Sequence, residues 1–96
     1  MNPKVDEILT ITQEECAEVI QEISKIYRFG IDNTHKSGVG HREKLEQEIG
    51  DLLAMIDLLK SHSVVDEQNL ERAKQAKFEK LKIWSSIFKE DNDEQN

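Results

Sequence analysis

The chain has 96 residues, 36% hydrophobic and 34% charged with a net charge of −7, which fits one small domain with a thin core. The acidic balance argues against nonspecific binding to nucleic acid or to an anionic membrane, where Lys and Arg supply most of the affinity. A single cysteine, Cys16, excludes an internal disulfide, and no apolar run approaches the ~20 residues of a membrane span or follows a basic leader, so the expected setting is the cytoplasm.

One Pro, four Gly and few aromatics favour helices over turn-rich sheets, and the expected fold is an all-α helical bundle with three main helices. From Lys4 to about Arg28, Val5, Ile8, Cys16, Val19, Ile23 and Ile26 recur at helical spacing, and Gly30 is placed to end the helix. The segment "GIDNTHKSGVGH", residues 30 to 41, holds three of the four glycines and reads as a mobile connection, long enough to be functional. A second helix is expected from about Arg42 to Leu59. Ser63 and Asp66 have capping-box spacing for a third, which continues through "SSIF" to Phe88. Residues 1–90 form the expected single domain, and 91–96 an acidic, disordered tail. The second helix is apolar around most of its circumference, more than three helices can cover, which predicts oligomerisation.

The acids are the informative feature. Taking about 100° per residue, Glu15, Glu18 and Glu22 fall on one side of the first helix beside Ile8, Val19 and Ile26, with Glu14 at the far edge of that arc. On the second helix, Glu48 and Asp51 project among Leu45, Leu52, Met55, Leu58 and Leu59. A carboxylate turned inward must be protonated, paired with a cation or bound to a metal. Glu15 and Glu18 are spaced i, i+3, as are Glu48 and Asp51, so antiparallel packing would gather four carboxylates. Such an all-oxygen set suits Mg²⁺ or Mn²⁺. No His stands three residues after any of these acids, as a di-iron site would require, and zinc spacing is also missing. Glu22 reads as a solvated bystander, and Cys16 as a small core residue without a neighbouring His to activate it.

"EECAE", Glu14 to Glu18, followed by "EIGD", Glu48 to Asp51, resembles the EExxE and ExxD signature of the MazG-like nucleotide pyrophosphohydrolases, within the all-α NTP pyrophosphatase superfamily. The likeness covers residues 5 to 60 best, and the compact form is similar to short stand-alone members, many of them carried by phages. What the resemblance implies is Mg²⁺-dependent hydrolysis of a nucleoside triphosphate between the α and β phosphates. It implies Glu15, Glu18, Glu48 and Asp51 as metal ligands, Glu14 or Glu15 in a catalytic role toward water, and a homodimer or homotetramer with the site near the subunit contact.

Basic groups that would complete such a site are Lys77, on the apolar stripe of Leu70, Leu81, Trp84 and Phe88, Lys80 at its edge, and Lys25 and Arg28 at the end of the first helix. Each has a bland alternative. A lysine stem can lie over apolar surface with its head in water, and cations near a helix C-terminus interact favourably with its dipole. Tyr27, Phe29 and Trp84 offer stacking surfaces for a base, although aromatics at helical spacing are more often core. Two rivals stand beside the leading reading: a relative with a narrower substrate, such as a dUTP, dCTP or phosphoribosyl-ATP pyrophosphatase, and a non-enzymatic helical interaction protein.

Overall fold

Asn2 starts the first helix: its side-chain oxygen accepts a hydrogen bond from the Val5 N–H at 2.8 Å, and Pro3 takes the first helical position, where a missing N–H is harmless. Helix α1 runs Pro3–Phe29. It stops at Gly30, whose φ of 95° lies where a side chain is strained and whose N–H closes on the Ile26 carbonyl. Helix α2 spans His41–Ser61 and α3 spans Glu67–Trp84. The computed structural model describes residues 2–34 and 37–90; the expected tail at 91–96 lies outside them. Among the described residues there is no strand, only an isolated bridge between Thr34 and Gly40, so the fold is all-α.

The two ends of the α1–α2 connection are bonded to each other at its base. The His41 N–H donates to the Asn33 carbonyl at 2.9 Å, the Arg42 N–H to Ile31 at 3.0 Å, and the Arg42 guanidinium meets Asp32 at 2.9 Å. Two expectations for α3 are corrected. Asp66 caps the helix by itself, accepting from the Asn69 N–H at 2.9 Å, while Ser63 sits at φ 59° just beyond α2. The helix ends at Trp84, short of Phe88, because the Ser85 hydroxyl bonds back to the Leu81 carbonyl at 2.8 Å and accepts the Ile87 N–H at 3.2 Å. Serine hydroxyls compete with helix continuation in this way. Phe88 then meets Phe78 edge to face, ring centres 6.3 Å apart.

The chain divides after Val64 into two compact units, the first holding α1 and α2 and the second α3. In the first, the pairing runs antiparallel: Phe29 stacks on His41, ring centres 5.7 Å apart, where the two helices meet the connection, whereas Glu15 lies beside Glu48 and Asp51 farther along. The core is small. Val5, Ile8, Met55 and Leu59 are its buried apolar members, with Val19, Ile26, Leu45 and Leu52 half-buried. In the second unit α3 buries no residue, and Trp84 is 82% exposed.

Helical phase divides the surface of the α1–α2 pair. Measured from the buried line on each helix at about 100° per residue, Glu18 and Lys25 on α1 and Asp51 on α2 turn to one edge. Cys16, Ile20, Ile23 and Tyr27 on α1 and Ile49 and Leu53 on α2 turn to the opposite edge, because an antiparallel partner reverses the sense of rotation. That second edge is apolar and uncovered: Ile20 is 66% exposed and Leu53 56%. Cys16 is exposed there, which corrects its placement in the core; it is one position past the buried line of a pair that covers only one face of α1.

Candidate metal centre

Glu15 comes from the middle of α1, and Glu48 and Asp51 from successive turns of α2. The i, i+3 spacing puts the α2 pair on one face, and the antiparallel pairing delivers Glu15 opposite them. Each contributes a carboxylate oxygen, and the three oxygens lie within 4.8 Å of one another. Glu15 and Glu48 are half-buried and Asp51 is exposed. The inward placement expected for Asp51 is therefore corrected: it closes the cluster from the solvent edge rather than from within the leucines.

Of the three acids, Glu15 feels this crowding. The Glu15 carboxyl is raised above its ordinary range, first by partial burial, then by the negative charge of Asp51 and Glu48, by a hydrogen bond with Glu48, and by Glu18. One Glu15 oxygen, Oε1, is buried without a hydrogen-bond partner. A half-buried carboxylate short of a donor, beside two more carboxylates, is the environment a divalent cation relieves. Among the described residues no His or Cys joins the three acids, and an all-oxygen donor set fits a hard cation rather than zinc or copper.

The family model of the MazG nucleotide pyrophosphohydrolase domain matches residues 4–82. The chain belongs to that family. The match contains both acid-bearing helices and most of α3, so the acids that converge in space fall inside the MazG domain. Comparison with curated proteins and with solved structures finds no match. Membership makes the chain a nucleotide pyrophosphohydrolase domain, and it gives the acidic cluster a chemical context that geometry alone lacks.

The remaining residues expected at the MazG site fall into four groups. Glu18 is exposed and outside the converging trio, but near enough that its charge acts on Glu15. Glu14 is exposed. Lys25 is occupied by Glu22, with Nζ 3.3 Å from Oε2, and the Arg28 guanidinium lies 5.0 Å from the centre of the Phe29 ring, in cation–π geometry. Lys77 and Lys80 are exposed on α3, within the second unit. Of the aromatics, Tyr27 is 87% exposed and Trp84 82%, so neither serves as core.

Glu22 departs furthest from expectation. Read as a solvated bystander, it is the most deeply buried charged residue described, 2% exposed, and its Oε1 has no hydrogen-bond partner. The signal was present in the sequence: Glu22 falls within about 20° of Glu15 on the helical wheel, and Lys25 follows at i+3.

Proposed function

We propose that this protein hydrolyses nucleoside or deoxynucleoside triphosphates to the monophosphate and pyrophosphate with Mg²⁺, Mn²⁺ serving as a substitute. The observation that carries the reading is the convergence of Glu15, Glu48 and Asp51 oxygens within 4.8 Å, inside a pyrophosphohydrolase domain. Glu15, Glu48 and Asp51 would hold the metal, with Glu18 completing the set from the solvent edge. Bound there, Mg²⁺ would neutralise the phosphates of an acidic substrate on an acidic protein and acidify a coordinated water. Glu14, on the adjoining exposed surface, is assigned to orient the attacking water and accept its proton, with Glu15 as the alternative. Lys25, Arg28, Lys77 and Lys80 are the cations available for the phosphates.

The uncovered apolar edge of Ile20, Ile23, Tyr27, Ile49 and Leu53 supports a homodimer or homotetramer. Residues 1–90 would act as one domain, and the setting we assign to it is the cytoplasm. The test is pyrophosphate release from a panel of nucleoside and deoxynucleoside triphosphates that includes dUTP and dCTP, together with phosphoribosyl-ATP. Release that requires Mg²⁺ and is lost in Glu48→Gln and Asp51→Asn supports the reading. Release from a single member of the panel selects the narrower relative. No release from any of them overturns it in favour of a helical interaction protein.

A further inference from the structure

We infer that Glu22 is a positioning residue that holds the Lys25 ammonium at the acidic edge of the helix pair, where it receives the β and γ phosphates and then the departing pyrophosphate. This rests on the triphosphate reading above and assigns one of its cations a fixed place.

Glu22 is 2% exposed, and its only hydrogen-bond or ion-pair partner among the described residues is Lys25. Its second oxygen makes no hydrogen bond. A side chain this deep with one polar partner is costly to part from that partner. The dependence also works on the lysine. A free lysine samples many rotamers, but one drawn to a buried acceptor is held with its head along α1 instead of out in water. The Lys25 side chain keeps 32% of its surface exposed. Of its three N–H donors, Glu22 engages one, which leaves the others for a solvent-side acceptor.

The direction of that hold matters. Glu18 and Lys25 share the edge to which Asp51 turns. Glu22, where the ammonium is held, is seven residues from Glu15, about 10 Å along the helix. A phosphate chain anchored at the Glu15, Glu48 and Asp51 oxygens and extending along α1 meets the ammonium next. An acidic protein has few cations to offer a polyphosphate, and this one is held by Glu22 on the edge to which Asp51 turns. Preorganisation of that kind strengthens binding without adding a contact.

The probe is inorganic pyrophosphate with Mg²⁺, titrated calorimetrically into the full chain, because it carries no base. Lys25→Met alone leaves Glu22 buried without a cation and is expected to unfold, so the decisive pair is Glu22→Gln and the double variant Glu22→Gln/Lys25→Met, in which no charge is stranded. Glu22→Gln should weaken pyrophosphate binding about tenfold, the scale of one charge-assisted hydrogen bond. The double variant should bind no more weakly than Glu22→Gln, and Mn²⁺ affinity without pyrophosphate should be unchanged in both.

Three results would overturn the inference while leaving the hydrolase reading in place: Glu22→Gln binds pyrophosphate as the unsubstituted chain does; the double variant loses a further large factor; or Mn²⁺ affinity falls in step with pyrophosphate affinity. An unsubstituted chain that binds neither pyrophosphate nor nucleoside triphosphate with Mg²⁺ would overturn both.

Discussion

Glu15 of α1 and Asp51 of α2 bring carboxylate oxygens within 4.8 Å of each other, and Glu48 joins them at the same range. Like charges at this separation oppose the pairing of the two helices that carry them, and a divalent cation reverses the sign of that contribution. The first prediction is that Mg²⁺ or Mn²⁺ stabilises the chain. An ion at a hundred times its Kd adds about 2.7 kcal/mol by mass action, which for a domain of this size raises the melting temperature by roughly 10–20 °C. Thermal melts with metal, and then with excess EDTA, check this; identical curves would remove the metal site.

The pH dependence follows from Glu15. Its carboxyl is raised in the folded chain relative to the unfolded one, so the folded state binds more protons in the window between the two values. Unfolding free energy therefore falls as pH rises through that window. Glu15 should therefore contribute more stability to the metal-free chain just below the ordinary glutamate range than at neutral pH, and Glu15→Gln should remove that contribution, seen as the difference between the two pH profiles. Metal binding must displace the same proton, so apparent Mn²⁺ affinity should climb over the same window. Denaturant melts across pH, with and without the substitution, measure the first effect; a profile that rises with pH for the unsubstituted chain and is unchanged in Glu15→Gln would contradict it.

How much of this was legible in advance divides by physical cause. Helix α1 was readable because its signals are local: a 3.6-residue apolar rhythm and Gly30 at its end. The Glu15, Glu48 and Asp51 cluster was readable because two i, i+3 pairs on antiparallel helices can meet in only a few ways. Depth was not readable. Periodicity gives the direction of a side chain but not how far the partner helix reaches over it, so it sets Asp51 too deep, Cys16 in the core and Glu22 in solvent. The end of α3 turned on one hydroxyl, Ser85 bonding to Leu81, a competition that helix propensity does not register.

Exposure separates the roles of the α1 acids. Glu18 acts on Glu15 through its charge but lies outside the three converging oxygens, so Glu18→Gln should weaken Mn²⁺ binding by about tenfold, the lower part of the range for groups around a metal, and Glu15→Gln by more. Glu14→Gln should leave metal affinity in place and lower kcat. Calorimetric Mn²⁺ titrations beside steady-state kinetics distinguish the three. Equal losses of metal affinity at Glu14 and Glu15 would refute this order.

The small core makes single positions count. Leu59, 8% exposed, and Ile8, 6% exposed, belong to a group of four buried apolar side chains among the described residues. Truncating a buried leucine or isoleucine to alanine removes about 2–5 kcal/mol, a large share of what a domain of this size possesses. Leu59→Ala and Ile8→Ala should therefore leave the isolated chain largely unfolded at 37 °C, and Mg²⁺ should restore part of the helical signal in circular dichroism. Loss of only a few tenths of a kcal/mol would place the stabilising contacts elsewhere.

The last prediction concerns the apolar edge, which helical phase sets opposite the acids. Ile20, Ile23 and Tyr27 recur at helical spacing on α1, and Ile49 and Leu53 stand one turn apart on α2, all of them exposed in the single chain. A continuous apolar strip of this kind costs little to leave uncovered at one residue and much at five, so association should bury it. Sedimentation at micromolar concentration should give a mass above one chain. Ile20→Glu or Leu53→Glu, each placing a charge where a partner would pack, should shift the population toward monomer. Glu43→Gln, on exposed charged surface, should not. A monomeric unsubstituted chain, or one whose mass ignores both apolar substitutions, would mean that the strip is covered by some other means.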